Sequence, residues 1–118
     1  MTECLFCKIA KKELKAEVVY EDEHTVAFLD VHPKAPGHAM VIPKKHAENI
    51  LGLEDELAGP VLLTVKKVTG MLGKALKPGG FTIGINHGRV SGQVVDHLHI
   101  HIIPRFADDG GKSIHSVV

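Results

Sequence analysis

The sequence predicts an α+β domain of about five short strands, one long helix and a short amino-terminal helix. β-prone runs recur between clusters of turn formers, and apolar residues from Leu57 to Leu76 follow a helical period. Most telling is His97-Leu98-His99-Ile100-His101-Ile102-Ile103, which alternates residue by residue in the manner of a strand. A length of 118 residues suits one domain with a single core. The whole chain, 1–118, is therefore read as one domain with its core at about 4–105, and the polar, glycine-rich stretch 106–118 is expected to be a mobile tail.

Leu5, Phe6, Ile9 and Ala10 have helical spacing, giving a short first helix that carries Cys7 and ends at Lys11-Lys12-Glu13. Val18 to Glu21 and Thr25 to Leu29 form a hairpin in outline, with His24 in its turn. Asp30 to Gly37 is rich in turn formers and should be an exposed connection. A third strand runs from His38 to Ile42 and stops at Pro43. Leu57, Val61, Val65, Val68, Leu72 and Leu76 mark the long helix with one buried stripe. Its start has two readings: Glu54 to Glu56 look like an acidic opening, yet Pro60 fits best in a first turn, so the helix begins late or kinks at Pro60. After Gly79-Gly80 a fourth strand spans Phe81 to Asn86, with Phe81, Ile83 and Ile85 on one side. The loop His87 to Gln93 is expected to be flexible and to hang beside the histidine strand, which Pro104 should terminate.

Composition narrows the function. Acidic and basic residues are equal in number, 14 of each, which argues against a nucleic-acid surface built on bulk positive charge. Lys44-Lys45 and Lys66-Lys67 read as solvated surface. No apolar run approaches a membrane span and Met1-Thr2-Glu3 leads into no secretory segment, so a cytoplasmic protein without membrane partners is expected. The two cysteines, Cys4 and Cys7, have C-x-x-C spacing, which in a reducing compartment points to metal or redox chemistry more than to a structural disulfide. With only three residues before Cys4 a thioredoxin-type motif lacks its strand, and half a zinc site completed by histidines fits better.

In the histidine strand, Leu98, Ile100 and Ile102 should enter the core while His97, His99 and His101 line the other face. Three imidazoles in a row read as a reactive or ligand-binding face, as a metal grip, or as solvated side chains on an outer sheet face.

These residues together resemble the histidine-triad (HIT) family. The triad block is joined by Cys4-Leu5-Phe6-Cys7-Lys8-Ile9, Val19-Tyr20-Glu21-Asp22, Ala27-Phe28-Leu29-Asp30, Pro36-Gly37-His38, Val41-Ile42-Pro43-Lys44-Lys45-His46 and Gly92-Gln93, so the likeness extends from Cys4 to Arg105. It is strongest to the bacterial and archaeal Hint-like branch with a zinc site. The resemblance implies an α+β HIT-like fold with an antiparallel sheet, the long helix packed on it, and a homodimer whose sheets join across the interface.

What the resemblance implies for the chemistry is specific. His99 would attack the α-phosphate of a nucleotide, forming a nucleotidyl-histidine that water hydrolyses, with its other ring nitrogen donating to a carbonyl or similar acceptor that fixes the tautomer. His101 would contact the phosphate and assist the leaving group; the related nucleotidyltransferases carry glutamine there, so hydrolysis is favoured over transfer. Backbone N–H groups at Gly92, Gln93 and Val94 would hold the phosphate, although many relatives have serine or threonine where Val94 stands. Nucleoside contacts fall on Asp30 for the ribose hydroxyls, Phe28 and Val31 along the base, and Asn86 near phosphate or sugar. Phe28 and Val31 also read as plain core, and Asp30 as a turn-stabilising carboxylate. Structural Zn2+ would be held by Cys4, Cys7, His46 and His97, with no organic cofactor. His32, His38, His87 and His115 are placed outside the chemistry, His38 lying close enough to supply a hydrogen bond. The leading reading is a purine nucleoside phosphoramidase. A Fhit-like dinucleoside polyphosphate hydrolase and a non-catalytic nucleotide sensor or scaffold are the alternatives.

Overall fold

The computed structural model describes residues 4–109. The expected tail therefore falls largely outside the described residues, as does His115. Described in chain order, the elements are α1 (Leu5–Ala10), β1 (Val18–Glu21), β2 (Thr25–Leu29), β3 (Ala39–Pro43), α2 (Asp55–Leu76), β4 (Gly80–Gly84) and β5 (Ile100–Arg105), with single 3₁₀ turns at Ile50–Gly52 and Arg89–Ser91. The five strands form one antiparallel sheet in the order β1-β2-β3-β5-β4. The sheet thus places β5, the end of the histidine segment, beside β3 and leaves β4 at an edge.

Residue parity divides the core into two layers, one on each face of the sheet. Ala27, Ala39, Val41, Leu98, Ile100 and Ile102 meet Val61, Val65, Val68 and Leu72 of α2. On the opposite face Val26, Phe28, Met40 and Ile42 are covered by Phe6 and Ile9 of α1. One polar cluster interrupts the first layer: the buried hydroxyls of Thr25 and Thr64 lie 2.7 Å apart, and Asp22 accepts from both threonines and from the Tyr20 hydroxyl. Burial works to raise the Asp22 carboxyl, but hydrogen bonds from the Thr25 side chain, the His24 and Thr25 amides and Tyr20 outweigh it and hold the group down at about 2.

Several boundaries differ from the sequence reading. β3 runs Ala39–Pro43 rather than from His38 to Ile42, and Pro43 pairs with Thr25 instead of stopping the strand. The long helix does not start late: it begins at the acidic residues, with Asp55 and Glu56 in its first turn, and Pro60 lies in its interior, where its missing N–H leaves the Glu56 carbonyl without that donor. β4 ends at Gly84, so Ile85 and Asn86 are outside the strand, because the last pair of its ladder is Gly84 with His101. The strand of the histidine segment begins only at Ile100. Further back the Leu98 amide donates to the Ala47 carbonyl at 2.7 Å, so that backbone leaves the ladder while its side chains keep alternating. Pro104 does not end the pairing, since it sits opposite Phe81 and Arg105 continues the strand. The Arg105 carbonyl faces β4, where it accepts from the Gly79 amide, so the Pro104 nitrogen faces the other way, past the end of β3 at Ala39, where no ladder donor is needed. Among the described residues no helix is long and apolar enough to cross a membrane.

Candidate functional site

The α1-covered face of the sheet collects the histidines. His99 is buried at 4% exposure, and its Nδ1 lies 2.8 Å from the His97 carbonyl oxygen. A carbonyl only accepts, so Nδ1 carries the proton and Nε2 keeps its lone pair. The acceptor expected for this ring is therefore present, and it is the backbone of the residue two positions earlier. The His99 ring stands at 71° to that of His101, with centroids 5.0 Å apart.

His101 has its own tautomer fixed by a longer chain of donors. The Lys34 amide donates to Nδ1 of His38 at 3.0 Å, which requires the neutral His38 proton to be on Nε2. That Nε2 lies 2.9 Å from Nδ1 of His101 and 3.5 Å from a carboxylate oxygen of Asp30. His38 thus donates to His101, and the His101 proton is placed on Nε2, the same outer nitrogen at which His99 has none. Burial, then the nearby His99 and His38 rings, pushes His101 down to about 4 against the pull of Asp30, so the ring stays neutral well below its ordinary range. Burial lowers His38 as well. Asp30, His38 and His101 are close enough to suggest a metal, but a metal on Nε2 of His38 would move that ring's proton to Nδ1, against the Lys34 amide.

A second cluster meets the requirements of a metal centre. Sγ of Cys4 lies 3.2 Å from Nδ1 of His97, Sγ of Cys7 lies 3.3 Å from Nδ1 of His46, and the two Nδ1 atoms are 3.2 Å apart. Tetrahedral zinc with ordinary Zn–S and Zn–N bonds separates such atoms by about 3.4–3.6 Å, so small adjustments suffice. The lone pair of His97 is aimed correctly, since its Nε2 donates to the Pro43 carbonyl at 2.8 Å. Burial pushes this ring down to about 4, keeping it neutral, and burial with the adjoining Cys4 sulfur pushes the Cys7 thiol up to about 11, a crowding that a dication reverses. His97 belongs to this cluster, while His99 and His101 point elsewhere. The solvated-face reading does not hold: His97 and His99 are buried and His101 is half-buried.

The expected nucleotide contacts divide. Asp30 lies at the site: one oxygen faces His38 and the other accepts from the His32 amide at 2.9 Å, so the turn-stabilising bond is present as well. Val31 is 83% exposed and is not core. Phe28 is core: it is buried edge-on against Phe6, with centroids 5.4 Å apart, and presents no free face to a base. Asn86 is exposed and lies against Gly92, where an added Cβ would come 3.3 Å from its amide nitrogen. The Val94 side chain is exposed. The amides of Gly92 and Gln93 are not open donors in this conformation, because they bond the Arg89 and Gly88 carbonyls and close the 3₁₀ turn. Nor does the loop hang free. The buried Gln93 side chain accepts from the Gly88 amide and donates to the Glu48 and Val95 carbonyls.

His38, which the sequence reading placed outside the chemistry while allowing it a hydrogen bond, makes that bond to His101. Its parity within the third strand already placed it with Met40 and Ile42, opposite the α2 face, but only the neighbour relation of β3 and β5 brings it to His101.

The chain is similar in sequence and fold to known proteins. The chain is 49% identical over 107 residues to an uncharacterised HIT-like protein of Methanocaldococcus jannaschii, covering 91% of this chain and 82% of that protein. It is 41% identical over 111 residues to the adenosine 5'-monophosphoramidase hnt1 of Schizosaccharomyces pombe, covering 94% and 80%. A Zn-bound histidine triad family protein from Mycobacterium smegmatis superposes with a TM-score of 0.86 at 31% identity over 92% of this chain and 78% of that one. The HIT domain matches residues 11–108, and with the alternating histidines paired and oriented as described, the chain belongs to the HIT-domain family.

Proposed function

We propose that this protein is a nucleotide hydrolase that cleaves the P–N bond of purine nucleoside phosphoramidates. The observation that carries the reading is the complementary protonation of two adjacent imidazoles: His99 has a free lone pair on Nε2, and His101 has a proton on Nε2. His99 attacks phosphorus, the P–N bond breaks, and the departing amine takes the His101 proton; water then attacks the nucleotidyl-histidine, releasing the nucleoside monophosphate and returning a proton to His101. Asp30 receives the ribose hydroxyls, Val31 flanks the base, and Asn86 and the Val94 backbone approach the phosphate. Phosphate binding through Gly92 and Gln93 requires their turn to open, and Gln93 acts chiefly as the brace of the loop. The yeast relative's name supports the choice of substrate.

Cys4, Cys7, His46 and His97 would hold zinc, a closed four-ligand shell whose contribution is structural. The protein acts as a homodimer. An apolar groove of about 480 Å³ between α2 and β4, lined among others by Ile50, Leu62, Ile83 and Ile85, adjoins the open edge of β4, where a second copy would extend the sheet. Two free thiols fit a cytoplasmic setting.

The test is single-turnover reaction of wild type and His99→Ala with an adenosine phosphoramidate and, separately, a diadenosine polyphosphate. Fast cleavage of the phosphoramidate with an acid-labile adenylylated wild type, absent in the variant, is expected. Preferential cleavage of the polyphosphate transfers the assignment to that substrate class, and AMP binding without turnover of either leaves a binding protein.

A further inference from the structure

A nucleophilic imidazole needs its ring plane fixed as well as its tautomer. One hydrogen bond, from Nδ1 of His99 to the His97 carbonyl, leaves the ring free to swing about that bond. Two rings lie against it: His101, with centroids 5.0 Å apart, and Phe6, near perpendicular at 84° with centroids 5.1 Å apart. Phe6 is buried at 5% exposure and also meets His97, at 6.0 Å and 73°. Its position in the chain matters as much, because it lies on α1 between Cys4 and Cys7.

A six-residue helix has no stability of its own, so its anchors decide where Phe6 sits. Two anchors are apolar, Phe6 itself and Ile9. The others are sulfurs: Cys4 caps the helix by accepting from the Cys7 amide, and both thiols reach the His46 and His97 cluster. Whatever holds the thiols therefore holds the ring that flanks His99.

We propose that Phe6 is a positioning residue for the His99 imidazole, and that the metal centre built on Cys4 and Cys7 acts on the reacting nitrogen through this ring. The inference rests on His99 being the nucleophile. Ligation of Cys4 and Cys7 would clamp α1 and give the His99 ring one orientation; with the thiols unligated, α1 would loosen and the ring would sample several.

Ring ¹⁵N resonances of His99 test this in zinc-loaded wild type, Phe6→Leu, Ile9→Ala and chelator-treated wild type, alongside single-turnover rates and melting curves. Phe6→Leu keeps apolar burial but removes the flat ring. Expected are one sharp Nδ1–H pattern in wild type, exchange-averaged His99 nitrogens in Phe6→Leu and after zinc removal, partial averaging in Ile9→Ala, where the ring is kept but an anchor of α1 is lost, and a fall on the order of 10-fold in the single-turnover rate of Phe6→Leu. Wild-type nitrogens and rate in Phe6→Leu overturn the positioning role. Unchanged His99 nitrogens after zinc loss overturn the coupling even if Phe6→Leu behaves as expected. Should wild type fail to cleave the phosphoramidate, the proposed function falls, while the resonances still decide whether Phe6 and the metal orient the ring.

Discussion

Replacing His38 by leucine tests the donor chain behind His101. The ring is 2% exposed, so leucine preserves buried volume while removing both nitrogens. Nδ1 of His101 then loses the donor 2.9 Å away, and the Lys34 amide loses its acceptor. A net hydrogen bond is worth about 0.5–1.5 kcal/mol, and if all of it biases the His101 tautomer, turnover falls by between about 2- and 13-fold. His38→Gln, whose side-chain amide still donates, should recover part of this. The assay is steady-state and single-turnover cleavage of an adenosine phosphoramidate, with His101 ring nitrogens read by ¹⁵N NMR. The predicted signature is a lower kcat with KM nearly unchanged and a mixed His101 tautomer in the leucine variant. Wild-type kcat in His38→Leu, under conditions where His99→Ala is inactive, would refute the reasoning.

Three further outcomes follow from the same geometry. His101 is held at about 4 when folded and takes an ordinary value near 6.5 when unfolded, so the unfolded chain binds the extra proton between these values. Stability should therefore fall as pH drops from about 6.5 toward 4, by at most about 1.4 kcal/mol per pH unit from this group and less because the ring is partly solvated, and His101→Gln should flatten that slope in urea melts. Cys7→Ser should lower zinc below one equivalent per chain by atomic emission and reduce Tm, and equal zinc content and Tm in both proteins would exclude the four-ligand centre. Leu62→Glu, on the exposed groove beside β4, should convert a dimer to a monomer in sedimentation velocity while leaving far-ultraviolet dichroism unchanged; a wild type that sediments as a monomer rejects the dimer outright.

Periodicity made most of this fold legible, and its misses share one cause. The helical stripe and the alternation through Ile102 report which side chains are buried; the alternation held, and the stripe held from Val61 to Leu72, while Leu57 is half-buried and Leu76 exposed. Neither reports which backbone groups find partners, and that decided the ends of elements. Pro104 looked like a stop because a missing N–H matters only on the side where a neighbour waits, and sequence does not say which side that is. That the Gln93 side chain braces its loop was not legible, because its buried amide contacts are spread from Gly88 to Glu48 and Val95. The two metal-ligand halves, Cys4 with Cys7 and His46 with His97, come together as the family resemblance implied. Phe28 belongs to the core because α1 folds over it, a tertiary event with no local signature.

The cluster of Thr25, Thr64 and Asp22 has a further consequence. A purely aliphatic helix stripe on an aliphatic sheet is nearly indifferent to sliding by one turn, since one Val or Leu replaces another at similar cost. Two buried hydroxyls facing each other at 2.7 Å resist such a slide, because Thr64 would lose both of its partners, Thr25 and Asp22, in a dry interface. They act as a notch that sets α2 at one position along β2. The notch also fixes where α2 begins, and with it how tautly the chain is drawn from Pro43 to Glu54. His46, Ala47 and Glu48, which face the sulfurs, the Leu98 amide and the Gln93 side chain, hang on that span. A hydroxyl pair on the far side of the sheet from the histidines thereby fixes where the segment on which they depend is tied to the helix.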